Sequence, residues 1–282
     1  MKISGYSYSF GGDLVFGGTL ERVEVDHLNV IQFYKGIDIK SIEIFDPHLR
    51  SDDELPAIVD ALGEAKMNIS MYDIQCDVVS RDSSVRCTGT EKFQERLQIA
   101  KKFGAKKVLI LPGYPSGEIK SEECHEWLNE AIQKSLPVAD ELGITLTIAN
   151  LGYAAKTYGS SDYILSTCKA AANRVKVTYD VGNFLMANED PVEALDKVFS
   201  YVVHVHFKDW EILPSKSVGA WPGIDGRFYR GLPLGKGVVD LVAVLRRLKE
   251  LNYDGHISPE YEGIEDPWNA VDSGIKYLRA LM

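Results

Sequence analysis

Cysteine is scarce in this 282-residue chain. Cys76, Cys87, Cys124 and Cys168 are the only four, and no two form a CxxC pair. That spacing excludes a zinc ribbon or a thioredoxin-type dithiol, and leaves the four as reduced, buried small hydrophobes. Basic residues are outnumbered, 31 Lys+Arg against 41 Asp+Glu, giving a formal net charge of −10. A nucleic-acid groove needs a clustered basic surface, so nucleic acid is not an expected partner. Long apolar runs are missing as well. No stretch approaches the roughly 18 apolar residues of a membrane span. The start, MKISGYSYSFGGDL, lacks an apolar core followed by a cleavage site. The expectation is a cytoplasmic chain with no membrane segment. Histidine is limited to six residues, which bounds any histidine-built metal cluster.

What is present is an ordinary globular composition, 45% hydrophobic and 26% charged, ample for a packed core. Short apolar, β-branched runs fall at 2–8, 40–46, 68–74, 106–112, 144–150, 175–180, 202–208 and 255–261. Between them lie segments such as DDELPAIVDALGEAK, EKFQERLQIAKKFGA, EECHEWLNEAIQKSLPVADELG, SDYILSTCKAAANR, VVDLVAVLRRLKELN and WNAVDSGIKYLRAL. Their apolar residues recur at three- and four-residue spacing, as on a helix with one buried stripe. Gly104 and Gly143 stand where a left-handed residue closes a helix, and Asp190-Pro191 and Asp266-Pro267 suit helix starts. Eight strand–helix alternations predict parallel strands with right-handed crossovers, the arithmetic of a (β/α)8 TIM barrel forming one α/β domain over 1–282. The rival, a doubly wound dinucleotide fold, would carry GxGxxG after the first strand. SFGGDLVFGG lacks that spacing.

Strand parity selects the interior. Successive side chains point to opposite faces, so Val203, Val205 and Phe207 should face the helices, and His204, His206 and Lys208 the barrel interior. Asp180 and Glu260 fall at strand ends, and barrel enzymes keep their sites at the C-terminal mouth. Asp180, His206, Lys208 and Glu260 should therefore converge. Two carboxylates and an imidazole suit one divalent metal, Mn²⁺, Co²⁺, Mg²⁺ or Zn²⁺. Taken singly, each acid at a strand end is more often a cap or ion-pair partner, and His206 more often a hydrogen-bonded core histidine; the set at matching parity is what points to metal. Pro259 lacks a ladder donor, so the strand should end there and leave Glu260 at the rim.

VVHVHFKDW, VTYDVGNFL and SPEYEG, with SIEIFDPHL earlier and PLGKGVVDL before the last helix, resemble the sugar phosphate isomerase/epimerase superfamily, the xylose-isomerase-like TIM barrels. The HVHFKD segment is similar to the inosose dehydratases of that superfamily. The resemblance spans nearly the whole chain. It implies one divalent metal held by a Glu ending strand five, an Asp ending strand six, a His on strand seven and a Glu on strand eight. The last three map to Asp180, His206 and Glu260. The strand-five position is Ala149, in TLTIANLGY, and the His that often follows the strand-six Asp is Asn183. In the superfamily's epimerases two opposed metal-bound Glu residues exchange protons on the two faces of the substrate, and a methyl group can neither ligate nor transfer a proton.

Three outcomes follow. Metal binds through Asp180, His206, Glu260 and waters; or another acid, Glu43 or Asp73, has taken over; or the barrel binds a carbohydrate without reacting. The function the resemblance implies is a metal-dependent isomerase, epimerase or related lyase. It would act on a small-molecule sugar, sugar phosphate or polyol ketone by proton abstraction next to a carbonyl. Glu260 is the expected base. Lys208 is the group that would steady an oxyanion or leaving hydroxyl, unless it pairs with Asp209 or Glu211. Superfamily members are often dimers or tetramers, so a homo-oligomer is implied. The DNA-cutting relatives build a multi-zinc cluster for which this chain has too few histidines.

Residues 209–236 show no clear periodicity and follow strand seven on the mouth side. A loop that long is usually functional or disordered. Trp210, Trp221, Phe228 and Tyr229 could stack on a sugar or pack on the protein itself. Arg227 and Arg230 could bind phosphate or carboxylate. Phe10 and Phe16, after the first strand, could line the pocket or cover a partner subunit. Glu43 points inward by parity and, as a buried carboxylate, needs a ligand or a partner. It joins the substrate-binding candidates.

Overall fold

A computed structural model describes residues 1–11, 24–115 and 119–282, and the backbone alone of 13–16 and 19–22. Phe16 lies outside the described side chains. The chain runs β1 (Lys2–Ile3), β2 (Gly5–Tyr6), an antiparallel pair β3 (Asp13–Phe16) and β4 (Thr19–Arg22), then α1 (His27–Gly36) and β5 (Ser41–Phe45). There follow α2 (Leu55–Ala65), β6 (Asn68–Gln75), α3 (Ser83–Lys102), β7 (Lys107–Leu111), α4 (Ser121–Leu142) and β8 (Thr145–Ala149). Next come α5 (Ala155–Tyr158), α6 (Ser161–Ala170), β9 (Lys176–Asp180), α7 (Asn183–Met186), α8 (Pro191–Val198) and β10 (Val202–Phe207). The chain closes with β11 (Asp209–Leu213), β12 (Ala220–Pro222), β13 (Phe228–Leu232), α9 (Leu241–Glu250), β14 (His256–Pro259) and α10 (Pro267–Leu281).

The main sheet has the order β1-β14-β10-β9-β8-β7-β6-β5-β2, and its pairings are parallel. Its two ends, β1 and β2, are halves of one stave. Ile3 pairs with Ile257 of the last stave and Tyr6 with Glu43 of the second, so the first stave closes the barrel. Counted this way, β5 to β10 are staves two to seven and β14 is stave eight, the (β/α)8 barrel expected from the alternation. Parity holds. Ile44, Leu146, Val177, Val205 and Phe207 are buried among the helices. Fully burying each such side chain is worth about 1.5–3 kcal/mol. The interior is polar: Ser4 and Ser70 hydroxyls meet at 2.6 Å, and those of Thr147 and Thr178 at 2.9 Å.

Helix punctuation follows the sequence. Gly104 and Gly143 take φ of 78° and 67°, where a Cβ would be strained. The Asp190 carboxylate accepts from Val192 N and Glu193 N, and that of Asp266 from Asn269 N, each with proline at the helix start. Three expectations need correction. The segment after stave seven is not irregular: β11, β13 and β12 form a three-stranded antiparallel sheet. Its strands are too short to show a period, and its ladder joins residues about twenty positions apart. Phe10 is not at the mouth; it packs against Phe33, Tyr34 and Trp268 in the core. Cys87 is exposed, unlike the other three cysteines.

Candidate active site

The mouth of the barrel holds a cavity lined by Tyr6, Tyr8, Leu111, Ala149, Asn150, Asp180, Asn183, His206, Lys208, Trp210, Trp221, Glu260 and Glu262, among others. Each charged group arrives on a stave end. Asp180 ends β9. His206 and Lys208 stand two apart on and just after β10, facing inward together. Glu260 follows Pro259, the last residue of β14. The strand does end at Pro259, and Glu260 N donates to Phe207 O at 2.8 Å, fixing Glu260 against stave seven.

Lys208 is the electrostatic hub. Its Nζ lies 2.8 Å from Glu260 Oε1, 2.9 Å from Glu262 Oε2 and 3.3 Å from Asp180 Oδ2, with the side chain 4% exposed. The alternative pairing with Asp209 or Glu211 does not form. Asp209 instead accepts from the backbone N–H groups of Gly235, Gly237 and Val239, and Glu211 pairs with Arg230. Burial opposes a charge on Lys208, but Asp180, Glu260 and Glu262 outweigh it and hold the ammonium well above its ordinary pKa. Burial likewise raises Glu260, yet Lys208 and His206 bring it below the usual carboxylate value. Asp180 is pushed up to about 7, by burial first and the Glu260 charge beside it, with Lys208 opposing.

Beneath this layer is a second set of ionisable groups. Glu43 is fully buried and accepts from His206 Nε2 at 2.8 Å and His204 Nε2 at 2.9 Å. Burial would raise its pKa; the two imidazoles overcome that and hold it well below the carboxylate range. An ionised acceptor on Nε2 fixes the ring of His206 and turns Nδ1 toward the cavity, 3.3 Å from Glu260 Oε2. Burial disfavours His206 charge, but Glu43 and Glu260 raise its pKa well above ordinary. His204 stays neutral: burial lowers it to about 4. Tyr6 lines the cavity, lies 5.0 Å ring to ring from His206, and donates to Asp73 at 2.5 Å.

Asp180, His206 and Glu260 bring ligand atoms within 4.8 Å of one another. The donor chemistry fits a divalent cation. His206 Nδ1 is directed by the Nε2–Glu43 bond, the arrangement in which a second carboxylate orients a metal-binding imidazole. Glu260 Oε2 is buried and faces His206 Nδ1 at 3.3 Å. Asp180 is held by Gly182 N, Asn183 N and the Asn183 amide. Ala149, at the end of β8, offers no donor atom to this group.

Other sequence candidates fall elsewhere. Glu43 does not line the cavity, because the histidines above it occupy both its oxygens; it supports His206 from below. Asp73, raised well above its usual pKa by burial and by Glu43, is in the same buried layer. Arg227 is half-exposed and paired with Asp225, and Arg230 with Glu211, so neither faces the cavity. Arg230 stands in β13 beside Glu211 of β11, and Arg227 precedes β13 beside Asp225. Trp210 does line the cavity, fully buried, with Lys208 Nζ 5.3 Å from its ring, and Trp221 lines it too. Tyr229 is buried, its hydroxyl on Asp225. Missed in sequence were Tyr6 and Glu262. The alternation Ser4, Tyr6 on stave one signals the first. Glu262 shares spacing with Glu260, and accepts from Tyr8 Oη at 2.6 Å.

The family of xylose isomerase-like TIM barrels matches over residues 31–281, and the chain belongs to it. Among curated relatives, L-ribulose-5-phosphate 3-epimerase UlaE of Shigella flexneri serotype 5b is 24% identical over 238 residues, covering 80% of this chain and 76% of that protein. Among solved structures, an L-ribulose 3-epimerase superposes with a TM-score of 0.77 at 13% identity, over 100% of this chain and 94% of that one. A D-psicose 3-epimerase, determined in the presence of D-fructose, superposes at 0.75 and 18% identity, over 100% and 99%. Among the described residues, no helix is long and apolar enough to cross a membrane.

Proposed function

We propose that this chain is a sugar isomerase or epimerase that takes a proton from the carbon next to a carbonyl of a keto sugar or polyol ketone, with Glu260 as the base. One observation carries the reading. Glu260 lines the cavity with Oε1 tied to Lys208 and Oε2 facing His206 Nδ1 at 3.3 Å, a carboxylate held ionised at the cavity wall. A base must lie within hydrogen-bond reach of the proton it takes. The family and the names of its epimerase relatives support the same class.

Asp180, His206 and Glu260 would hold one divalent ion, Mn²⁺, Co²⁺, Mg²⁺ or Zn²⁺. Such an ion, when bound, stabilises negative charge on substrate oxygens as a Lewis acid. The chain's own groups do the rest. Lys208 offers an ammonium to an oxygen that gains charge on proton loss. Trp210 and Trp221 wall the cavity with flat apolar surface, and Glu43 keeps His206 oriented from below. Ala149 favours a second reading, a carbohydrate-binding barrel that does not react.

Untagged protein dialysed against Mn²⁺ and freed of excess ion separates the two, beside Glu260→Gln. The expected outcome is near one metal per chain in the parent and little in the variant. The parent, and not the variant, should exchange solvent deuterium into carbon-bound positions of ketoses. Metal-free protein without exchange would leave the binding-only reading standing.

A further inference from the structure

The end of the barrel away from the mouth gathers basic groups that the active-site cavity does not use. The staves start there, and four of them start on a basic residue. Lys2 begins β1 two residues before Ser4, and Lys107 begins β7 two before Leu109. Lys176 begins β9 two before Thr178, and His256 begins β14 two before Ser258. Ser4, Leu109, Thr178 and Ser258 all face the barrel interior. A two-residue period then gives the four basic residues the same inward parity.

A cavity of about 520 Å³ opens at this end, within the roughly 300–1,000 Å³ of small-molecule pockets. Lys106, Lys107 and His256 form its basic side, and Leu62, Met67 and Phe103, where α2 and α3 finish, form an apolar one. Among the described residues, no carboxylate lines it. Lys107 Nζ donates to Val203 O at 3.0 Å, one acceptor for an ammonium with three protons to place. Burial holds Lys107 below its ordinary pKa, with only the Glu43 charge opposing, and Glu43 has its oxygens on His204 and His206. Burial first, then Lys107, Lys2 and the N-terminal amine, push His256 down to about 4. That leaves a neutral imidazole, its Nε2 3.1 Å from Ser41 Oγ. A lysine that only satisfies a helix end looks different: Lys101 Nζ donates to the carbonyl of Leu142, the last residue of α4, at 2.8 Å. Part-buried positive charge without a counter-ion is costly, and a bound anion offsets that cost.

We propose that this end of the barrel is a second ligand site, separate from the mouth, for a phosphate monoester carried on an apolar or aromatic body. The ammonium groups of Lys106 and Lys107 match the double negative charge of the head, and the His256 imidazole adds a neutral hydrogen-bonding group. Leu62, Met67 and Phe103 take the apolar body out of water. Occupancy of the site needs neither Glu260 nor a metal at the mouth.

The test titrates phenyl phosphate, phenol and inorganic phosphate in turn into the full chain at about pH 8, where the monoester carries close to two negative charges. The ring signals of His256, assigned with His256→Gln, are followed by NMR. The expected result is a saturable shift with phenyl phosphate, binding about tenfold weaker for phenol and for inorganic phosphate, and an affinity for phenyl phosphate about tenfold lower in Lys107→Met. Glu260→Gln, altered only at the mouth, should bind phenyl phosphate as the parent does. Unmoved His256 signals, an unchanged affinity in Lys107→Met, or loss of the shift in Glu260→Gln overturns the inference. Equal binding of inorganic phosphate overturns the apolar body, and equal binding of phenol overturns the anionic head. If Lys107→Met does not fold, Lys106→Met, at an exposed position of the same cavity, carries the comparison.

Discussion

Replacing Lys208 by methionine leaves three carboxylates facing one another around the space the ammonium filled. The stem volume is roughly kept, so the change reads the charge. In the parent the ammonium is 2.8–3.3 Å from all three acids, with its side chain 4% exposed. Each such attraction is gross about 5 kcal/mol at an effective dielectric of 20, and desolvation of the ions offsets most of it. Removing one partner of a buried pair costs about 3–5 kcal/mol, since the orphaned charge stays. The sign with pH follows. The raised Lys208 pKa means its stabilisation is fully present below the lysine's unfolded value, hence throughout pH 5–8. In the variant the acids lack their cation, and their folded pKa values move above their unfolded ones. Their penalty is then relieved by protonation at low pH and grows as pH rises. Thermal unfolding of parent and variant at pH 5, 6.5 and 8 should show a gap that widens with pH. At pH 8 it should reach about 6–20 °C, at about 2–4 °C per kcal/mol for chains near this size. A gap that is flat with pH, or below about 1 kcal/mol throughout, would show that Lys208 is not the counter-charge of the cluster.

Glu43→Gln removes the ionised acceptor that both histidines share. The His206 pKa should fall from its raised position, read by NMR titration of the ring proton, and stability should drop by about 3 kcal/mol; an unmoved His206 would refute the relay from below. His27 is buried with neither ring nitrogen hydrogen-bonded among the described residues, and burial lowers its pKa to about 4. The unfolded chain therefore binds the proton first as pH falls through 6.5, and about 3 kcal/mol of stability is lost by pH 4. His27→Gln should flatten the acid limb of the stability curve there, and an unchanged limb would place the acid sensitivity elsewhere.

Much of the site was legible because a barrel converts local parity into convergence. Alternation within 202–208 alone puts His204, His206 and Lys208 on one face. Strand endings at Asp180 and Pro259 put acids at the same rim. Eight alternations with the Gly104 and Gly143 stops were enough for the fold. Alternation could not say which neighbour each inward group would meet. Glu43 and His204 are 161 positions apart, and their bond exists because stave two faces stave seven once Tyr6 and Ile3 have closed the ring.

The sequence by itself determined the staves and the inward set Asp180, His206, Lys208 and Glu260, since these depend on a two-residue period and on local chain breakers. The tertiary structure decided the partners. It joined Lys208 to Glu260, Glu262 and Asp180 rather than to its sequence neighbours, and brought Tyr6 and Tyr8 into the cavity. It also turned Arg227 and Arg230 onto Asp225 and Glu211 through a sheet of three short strands. Electrostatic pairing in a low-dielectric interior depends on distances of a few ångströms between staves, and those distances are set by barrel closure, not by spacing along the chain.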